Sequence, residues 1–252
     1  DSRPIVCMSF DDGYWDNAEV AWPMMRQFDA RGTFFVTTDL IEGEPMWFDL
    51  AATIWHEHRH VMQQLGLSDL PPRAHEHFDS WMGYLKNLDA DPRQNILARA
   101  QQLTPVKLDP QLYGPMPRDA LRQMHLAGQE IASHTVSHPM LDQLDDGALQ
   151  HELHQSRDTL QHMLDDDASV DGLCYPNGRY DARVRDAAAQ AGYHYACTTQ
   201  RGFNRRDTQP LALHRRYITE ANTTDRFGQF SAHALGAVVF GVRDAVRRLL
   251  VR

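Results

Sequence analysis

The chain has 252 residues, 42% hydrophobic and 23% charged, which suits one sizeable globular core and excludes disorder, collagen-like repeats and coiled coil. Lys and Arg number 25 against 34 Asp and Glu, a net charge of −9, which argues against a nucleic-acid backbone as partner. No run of about eighteen apolar residues occurs, so no transmembrane segment is expected.

Residues 5–10 form an apolar run closed by Asp11-Asp12-Gly13, the pattern of a buried parallel strand ending in a polar turn. A helix is expected next: Asn17 can cap it, Pro23 sits near its start, and Val20, Met24, Met25 and Phe28 supply an apolar face before Arg31-Gly32. Residues 33–37 read as a second strand, and this β-α-β opening points to a parallel sheet or barrel. From about residue 39 to 116 the alternation breaks. Helical segments near 49–65, 74–88 and 91–103, separated by Pro71-Pro72, Asp91-Pro92 and Thr104-Pro105, read as a helical insertion over one face of a single domain covering 1–252. Alternation resumes with a helix at 117–127, a strand at 130–133 and a long helix from Asp145 whose Leu149, Leu153, Leu160 and Leu164 share one face. A strand at 172–175, a helix at 181–191 and strands at 193–198 and 211–218 follow. Residues 231–251 read as an amphipathic helix with Arg243, Arg247 and Arg248 on its polar side.

Three cysteines, Cys7, Cys174 and Cys197, sit in short apolar runs, and an odd count cannot close a disulfide framework, so they read as buried free thiols. With no leader visible this favours the cytoplasm, while a first residue that is Asp rather than Met leaves export open. Histidine is in excess, 14 residues, and its imidazole is the commonest protein ligand for transition metals.

Asp11 and Asp12 stand where a strand gives way to a loop, the end at which parallel α/β folds place ligands. Adjacent residues leaving a strand point in different directions, so one carboxylate can hold a cation while the other faces a reacting water; the same letters also suit a plain turn. His134 and His138 follow another strand end at the i, i+4 spacing that puts two imidazoles on one side of a helical turn. Roughly 0.8 such pairs are expected by chance at this His content, so position carries the inference rather than spacing. Asp12, His134 and His138 together make a set of two imidazoles and one carboxylate with open positions for water.

A competing motif, His56-Glu57-His58-Arg59-His60, matches the His-Glu-x-x-His of zinc proteases. It falls inside the insertion, has Gln63 and Gly66 where a metzincin has Gly and His, and also reads as a polar helix face. Tyr175-Pro176-Asn177-Gly178 runs from a strand into a turn that either aims a backbone N–H into the site mouth or simply reverses the chain. Over 211–218 a period of two puts His214 and Arg216 on one face and Leu213 and Arg215 on the other, so a cation is presented whichever way the strand turns.

In chain order, Ser9-Phe10-Asp11-Asp12-Gly13, Ser133-His134-Thr135-Val136-Ser137-His138-Pro139 and the turn from Tyr175 to Gly178 make the sequence resemble the NodB-homology polysaccharide deacetylases, carbohydrate esterase family 4. The resemblance spans almost the whole chain outside the insertion. It implies an α/β fold, a distorted (β/α) barrel of about seven parallel strands, and one divalent ion, usually Zn2+, held by Asp12, His134 and His138. It further implies Asp11 as general base, a backbone N–H of Asn177 completing an oxyanion hole, and removal of N-acetyl groups from an amino-sugar glycan. His214, near the position of the family's late Leu-x-His motif, is the candidate acid for the leaving amine.

The family's third motif has an Arg paired with the base, and Cys174 stands at that position. Arg216 or Arg215 is expected to replace it, because a neighbouring guanidinium lowers an Asp pKa and fixes its carboxylate. The missing Arg makes the chain more like the exopolysaccharide-biosynthesis branch than the chitin or peptidoglycan enzymes. Tyr14, Tyr175 and Trp47, with Trp15, Phe48 and Phe203, are aromatic residues near the expected mouth that can stack on sugar rings, and Trp47 and Phe48 open the insertion, expected to wall the groove. Three other readings stay open: a non-catalytic glycan-binding relative, a hydrolase of another C–N bond, and a zinc protease built on His56, Glu57 and His60. The sequence sets no oligomeric state.

Overall fold

The computed structural model describes residues 5–66, 70, 71, 73, 74, 76–165 and 168–242. In chain order these form β1 (Met8–Phe10), a π-helical turn (Asn17–Ala21) running into α1 (Trp22–Gln27), β2 (Gly32–Val36), α2 (Thr38–Ile41), α3 (Trp47–Glu57), α4 (His60–Gln64), α5 (Phe78–Lys86), α6 (Ala90–Leu103), α7 (Pro110–Tyr113) and α8 (Arg118–Leu126). Then come β3 (Glu130–Ser133), α9 (Asp146–Leu164), β4 (Gly172–Cys174), α10 (Ala182–Gln190), β5 (Tyr195–Cys197), α11 (Glu220–Thr223) and α12 (Ala232–Val239). Arg243, Arg247 and Arg248 of the expected last helix lie outside the described residues.

The strands pair in parallel in the order β1-β2-β3-β4-β5, a curled five-stranded half-barrel. The α/β class is as expected, while five of the expected seven or so strands are present among the described residues. Residues 211–218 do not form a strand: a 3-10 turn occupies Pro210–Ala212, and Leu213 alone bridges to Cys197.

The period of two along each strand divides the core. Phe34, Val36, Ile131, Leu173 and Ala196 face outward into the main core with α8, α9 and α10, where Phe10 stacks on Phe34 at 4.9 Å. Phe35, Ala132, Cys174 and Cys197 face inward and, with Leu213, fill the concave side. The α9 leucines at 149, 153, 160 and 164 are all buried, as their spacing requires. The first helix departs from expectation: Trp22 and Met25 are its buried residues, while Val20, Met24 and Phe28 are exposed. Cys7 is exposed, whereas Cys174 and Cys197 are buried thiols.

Residues between β2 and β3 build a second core from α3, α4, α5 and α6. Trp81, fully buried, anchors it and donates its indole N–H to the Ala51 carbonyl at 3.0 Å. The ends of this stretch belong to the main core instead, through Ile41 and Met116. No helix among the described residues is long and apolar enough to cross a membrane.

Candidate active site

β1, β2, β3 and β4 all point their carboxyl ends at one cleft, where the loops leave the sheet. Among the described residues, four of the five non-glycine positions with left-handed backbone lie here: Asp12 (φ 77°), Thr135 (φ 71°), His138 (φ 55°) and Asn177 (φ 54°). Such conformations cost on the order of 1 kcal/mol each and persist only where surroundings over-determine them. Asp12 is held by its carbonyl, which accepts from Thr37 N–H at 3.1 Å. Gly13 follows at φ 90°, where a Cβ would meet Val36 Cγ1 at 3.2 Å.

His134 and His138 come together through a loop rather than through the helical turn that their spacing suggested. Glu152, from the middle of α9, fastens that loop: its carboxylate accepts from Val136 N–H at 2.7 Å, Ser137 N–H at 3.0 Å and Ser137 Oγ at 2.6 Å. Thr135 Oγ1 accepts from His138 N–H at 3.1 Å. Glu152 and Ser156 are the two polar residues buried among the leucines of α9, and a carboxylate within that leucine-spaced face is the signal the sequence offers.

The His134 Nδ1–H donates to the Cys174 carbonyl at 2.7 Å, which leaves the Nε2 lone pair facing Asp12 Oδ1 at 3.5 Å. His138 Nε2 lies 3.8 Å from the same oxygen, and the two rings stand at 76° with centroids 4.7 Å apart. Burial, with His134 beside it, keeps the His138 imidazole neutral. Burial also pushes Asp12 up to about 6, against the pull of His134 and with the added push of the Asp11 charge.

The donor set fits a divalent ion. One oxygen and two nitrogens lie within 4.8 Å of one another, and Asp12 Oδ1 is buried without a hydrogen-bond partner. A second set, Asp11, His134 and Cys174, also meets that distance, but burial holds the Cys174 thiol well above its usual pKa, and Arg215 already grips Asp11.

Arg215 places both terminal guanidinium nitrogens on Asp11, at 2.6 Å to Oδ1 and 2.8 Å to Oδ2. Its Nε–H donates to the Thr198 carbonyl at 3.2 Å, and one terminal nitrogen lies 3.0 Å from Cys174 Sγ. Burial is the largest single influence on Asp11 and opposes its ionisation, but the Arg215 hydrogen bonds together with the charges of His134, Arg215 and His138 outweigh it and hold the carboxyl below its ordinary pKa. The guanidinium thus enters the space left by the small Cys174 side chain.

His214 and Arg216 do not reach the cleft. Leu213 must pack on the concave cluster of Phe35, Ala132, Cys174 and Cys197, so the alternation sends Arg215 inward and residues 214 and 216 outward. His214 lies over Gly202, with its backbone N–H donating to Asn204 Oδ1 at 2.9 Å, and Arg216 stacks on Phe203 with its guanidinium carbon 4.5 Å from the ring centroid. These placements correct the expected roles of His214 as acid and Arg216 as partner of the base.

A cavity of about 320 Å³ joins Asp11, Asp12, His134 and His138 to Asn177, Thr199, Arg215 and Tyr217. Phe48, Met82 and Lys86 complete one side from the helices between β2 and β3, and Phe48 meets His138 edge-on at 5.0 Å. No hydrogen bond among the described residues engages the Asn177 backbone N–H. Three of the expected sugar platforms, Tyr14, Trp47 and Tyr175, are engaged by other groups of the protein. Tyr14 donates its hydroxyl to Asp49 at 2.5 Å, and the Trp47 indole N–H donates to the His138 carbonyl at 3.2 Å while Arg93 covers its ring. Tyr175 touches the cavity, but its ring is buried against Tyr180 and its hydroxyl donates to the Leu211 carbonyl at 3.0 Å. The His-Glu-x-x-His segment is split, because α3 ends at Glu57 and α4 begins at His60; none of its residues joins a metal-competent group among the described residues.

A parallel α/β sheet carrying two imidazoles and two carboxylates at its strand ends defines the class of fold and site. The polysaccharide deacetylase family model matches residues 1–196, and the chain belongs to that family. It is 22% identical over 229 residues to the Bacillus subtilis (strain 168) protein named "Putative polysaccharide deacetylase YxkH", covering 91% of this chain and 57% of that protein. Among solved structures it is similar to the Streptococcus pyogenes deacetylase PplD in complex with acetate, at TM-score 0.54 and 20% identity over 85% of this chain and 64% of that one. The BpsB deacetylase domain from Bordetella bronchiseptica matches at TM-score 0.51 and 16% identity, covering 82% of this chain and 68% of that one. The chain thus spans little more than half the length of YxkH.

Proposed function

We propose that the chain is a divalent-metal-dependent hydrolase that removes N-acetyl groups from amino sugars of a glycan. The observation that carries this reading is the convergence of Asp12, His134 and His138 on one point beside an Asp11 that is held ionised by Arg215. Asp12, His134 and His138 would hold a divalent ion such as Zn2+, which would supply the Lewis acidity that acidifies water and polarises an amide carbonyl.

The remaining work belongs to side chains and backbone of this protein. An ionised Asp11, fixed by two hydrogen bonds, accepts a proton on one carboxylate oxygen as water attacks the amide carbon. The free Asn177 N–H at the cavity edge is available to donate to the developing oxyanion, a contribution typically worth about 10²–10³ in rate. With His214 outside the cleft, the protonated Asp11 is the group placed to return that proton to the departing amine. The guanidinium of Arg215 answers the absence of the usual motif-three Arg, which is the feature that favoured a non-catalytic relative. The exopolysaccharide branch rests on Cys174 at that position.

The test is acetate release from N-acetylglucosamine oligomers by protein loaded with Zn2+ or Co2+, beside chelator-treated protein and Asp11→Asn. Release that needs the ion and is lost in Asp11→Asn is expected; equal release from chelated protein contradicts the reading.

A further inference from the structure

Lys86 is the last residue of α5 and one of only two lysines in the chain. Trp81 and Leu85, four apart, are fully buried in the second core and fix the rotation of the helix. Met82 and Lys86, also four apart, therefore share the neighbouring face, and both line the cavity. Lys86 is half-buried, and no hydrogen bond or ion pair joins it to another described residue.

Every other charge in the cavity wall is compensated. Arg215 is bound twice by Asp11, and Asp12 sits between two imidazoles in a donor set suited to a cation. Lys86 lines the same cavity as Asp11, Asp12, His134 and His138, so its ammonium shares the space in which a substrate would sit. A helix C-terminus favours a cation wherever that cation points. That preference accounts for a basic residue at the end of α5, but not for its place on the Met82 face.

We propose that Lys86 binds an anionic substituent, a carboxylate or phosphate carried on the glycan beside the N-acetylated sugar, and that the insertion thereby selects an anionic substrate. This rests on the deacetylase reading and names the substrate class for the same site. The whole chain is acidic, at −9, so a densely charged polyanion is repelled at long range, whereas one nearby charge within a Debye length of about 8 Å is attracted. The expected substrate carries isolated anionic groups rather than a continuous array.

The experiment compares wild type, Lys86→Gln and Lys86→Arg, each loaded with Zn2+, on three N-acetylglucosamine oligomers: neutral, with an adjoining glucuronate, and with an adjoining phosphate. Lys86→Gln is expected to raise KM about tenfold on an anionic oligomer, roughly 1.4 kcal/mol, with kcat and the neutral oligomer within twofold. Lys86→Arg should restore KM, and the difference should shrink in high salt. A response to glucuronate alone or to phosphate alone names the source of the anion. An equal loss on neutral and anionic oligomers, or no preference of wild type for either anion, overturns the proposal. If wild type releases acetate from none of the three, the deacetylase reading fails instead. Calorimetric binding of the same oligomers then decides Lys86 by itself: weaker binding of only the anionic oligomers by Lys86→Gln supports the proposal, and unchanged binding overturns it.

Discussion

Arg215 and Glu152 do not touch the proposed ion, yet each fixes a group that does or that works beside it. Removing the guanidinium in Arg215→Met frees Asp11 to reprotonate, so the acid limb of the rate profile should move to higher pH and kcat/KM should fall on the order of 10²-fold. Arg215→Lys should recover little, because a point charge cannot make the paired contact; a pH–rate series on the variants checks both. Glu152→Ala leaves two backbone N–H groups of the histidine loop without partners. At about 1–3 kcal/mol per buried donor it should lower unfolding free energy by several kcal/mol and weaken ion binding about 10–100-fold, as read by denaturation and metal titration.

Asp39 offers a separate test at this scale. Burial, with Glu152 and Glu44 nearby, pushes its carboxyl up to about 6, so its ionised form is disfavoured in the fold. A raised acid pKa gives stability that is present below the unfolded value of 3.8 and lost as pH rises through about 6. Asp39→Asn should therefore be more stable than wild type above pH 6, with the gap closing near pH 4; melting temperatures across that range measure it.

At the scale of elements, what local pattern determines was readable. The strand-end position of Asp11-Asp12 and of His134 follows from apolar runs that stop at polar residues, and the α9 face follows from leucine spacing. The loop that joins the imidazoles was not, because left-handed backbone at Thr135 and His138 depends on a carboxylate from a different element. The period of two near 213–216 correctly separated Arg215 from Arg216, but choosing the inward face required knowing that Leu213 packs on Phe35 and the two cysteines. Aromatic residues misled for the same reason: a tryptophan near a cleft looks alike whether it meets a sugar or, as Trp47 does, a carbonyl of the protein. The helical stretch between β2 and β3 was visible from its broken alternation, and its separate core was not. Trp81→Ala should cost about 3–5 kcal/mol in that core, and because Phe48, Met82 and Lys86 rest on it, KM should rise more than kcat falls in steady-state assays.

Over the whole molecule, a curled parallel sheet gathers loops from strands far apart in sequence, so residues 12, 134 and 138 meet without any local signal of the meeting. Five described strands suffice for this, since the site needs the carboxyl ends of β1, β3 and β4 rather than a closed barrel. Everything proposed about chemistry depends on those three side chains holding one ion. Metal content of the purified protein after zinc loading and desalting, measured for wild type beside Asp12→Ala, tests that directly. About one equivalent in wild type and almost none in the variant is the expected result; the same content in both would contradict it.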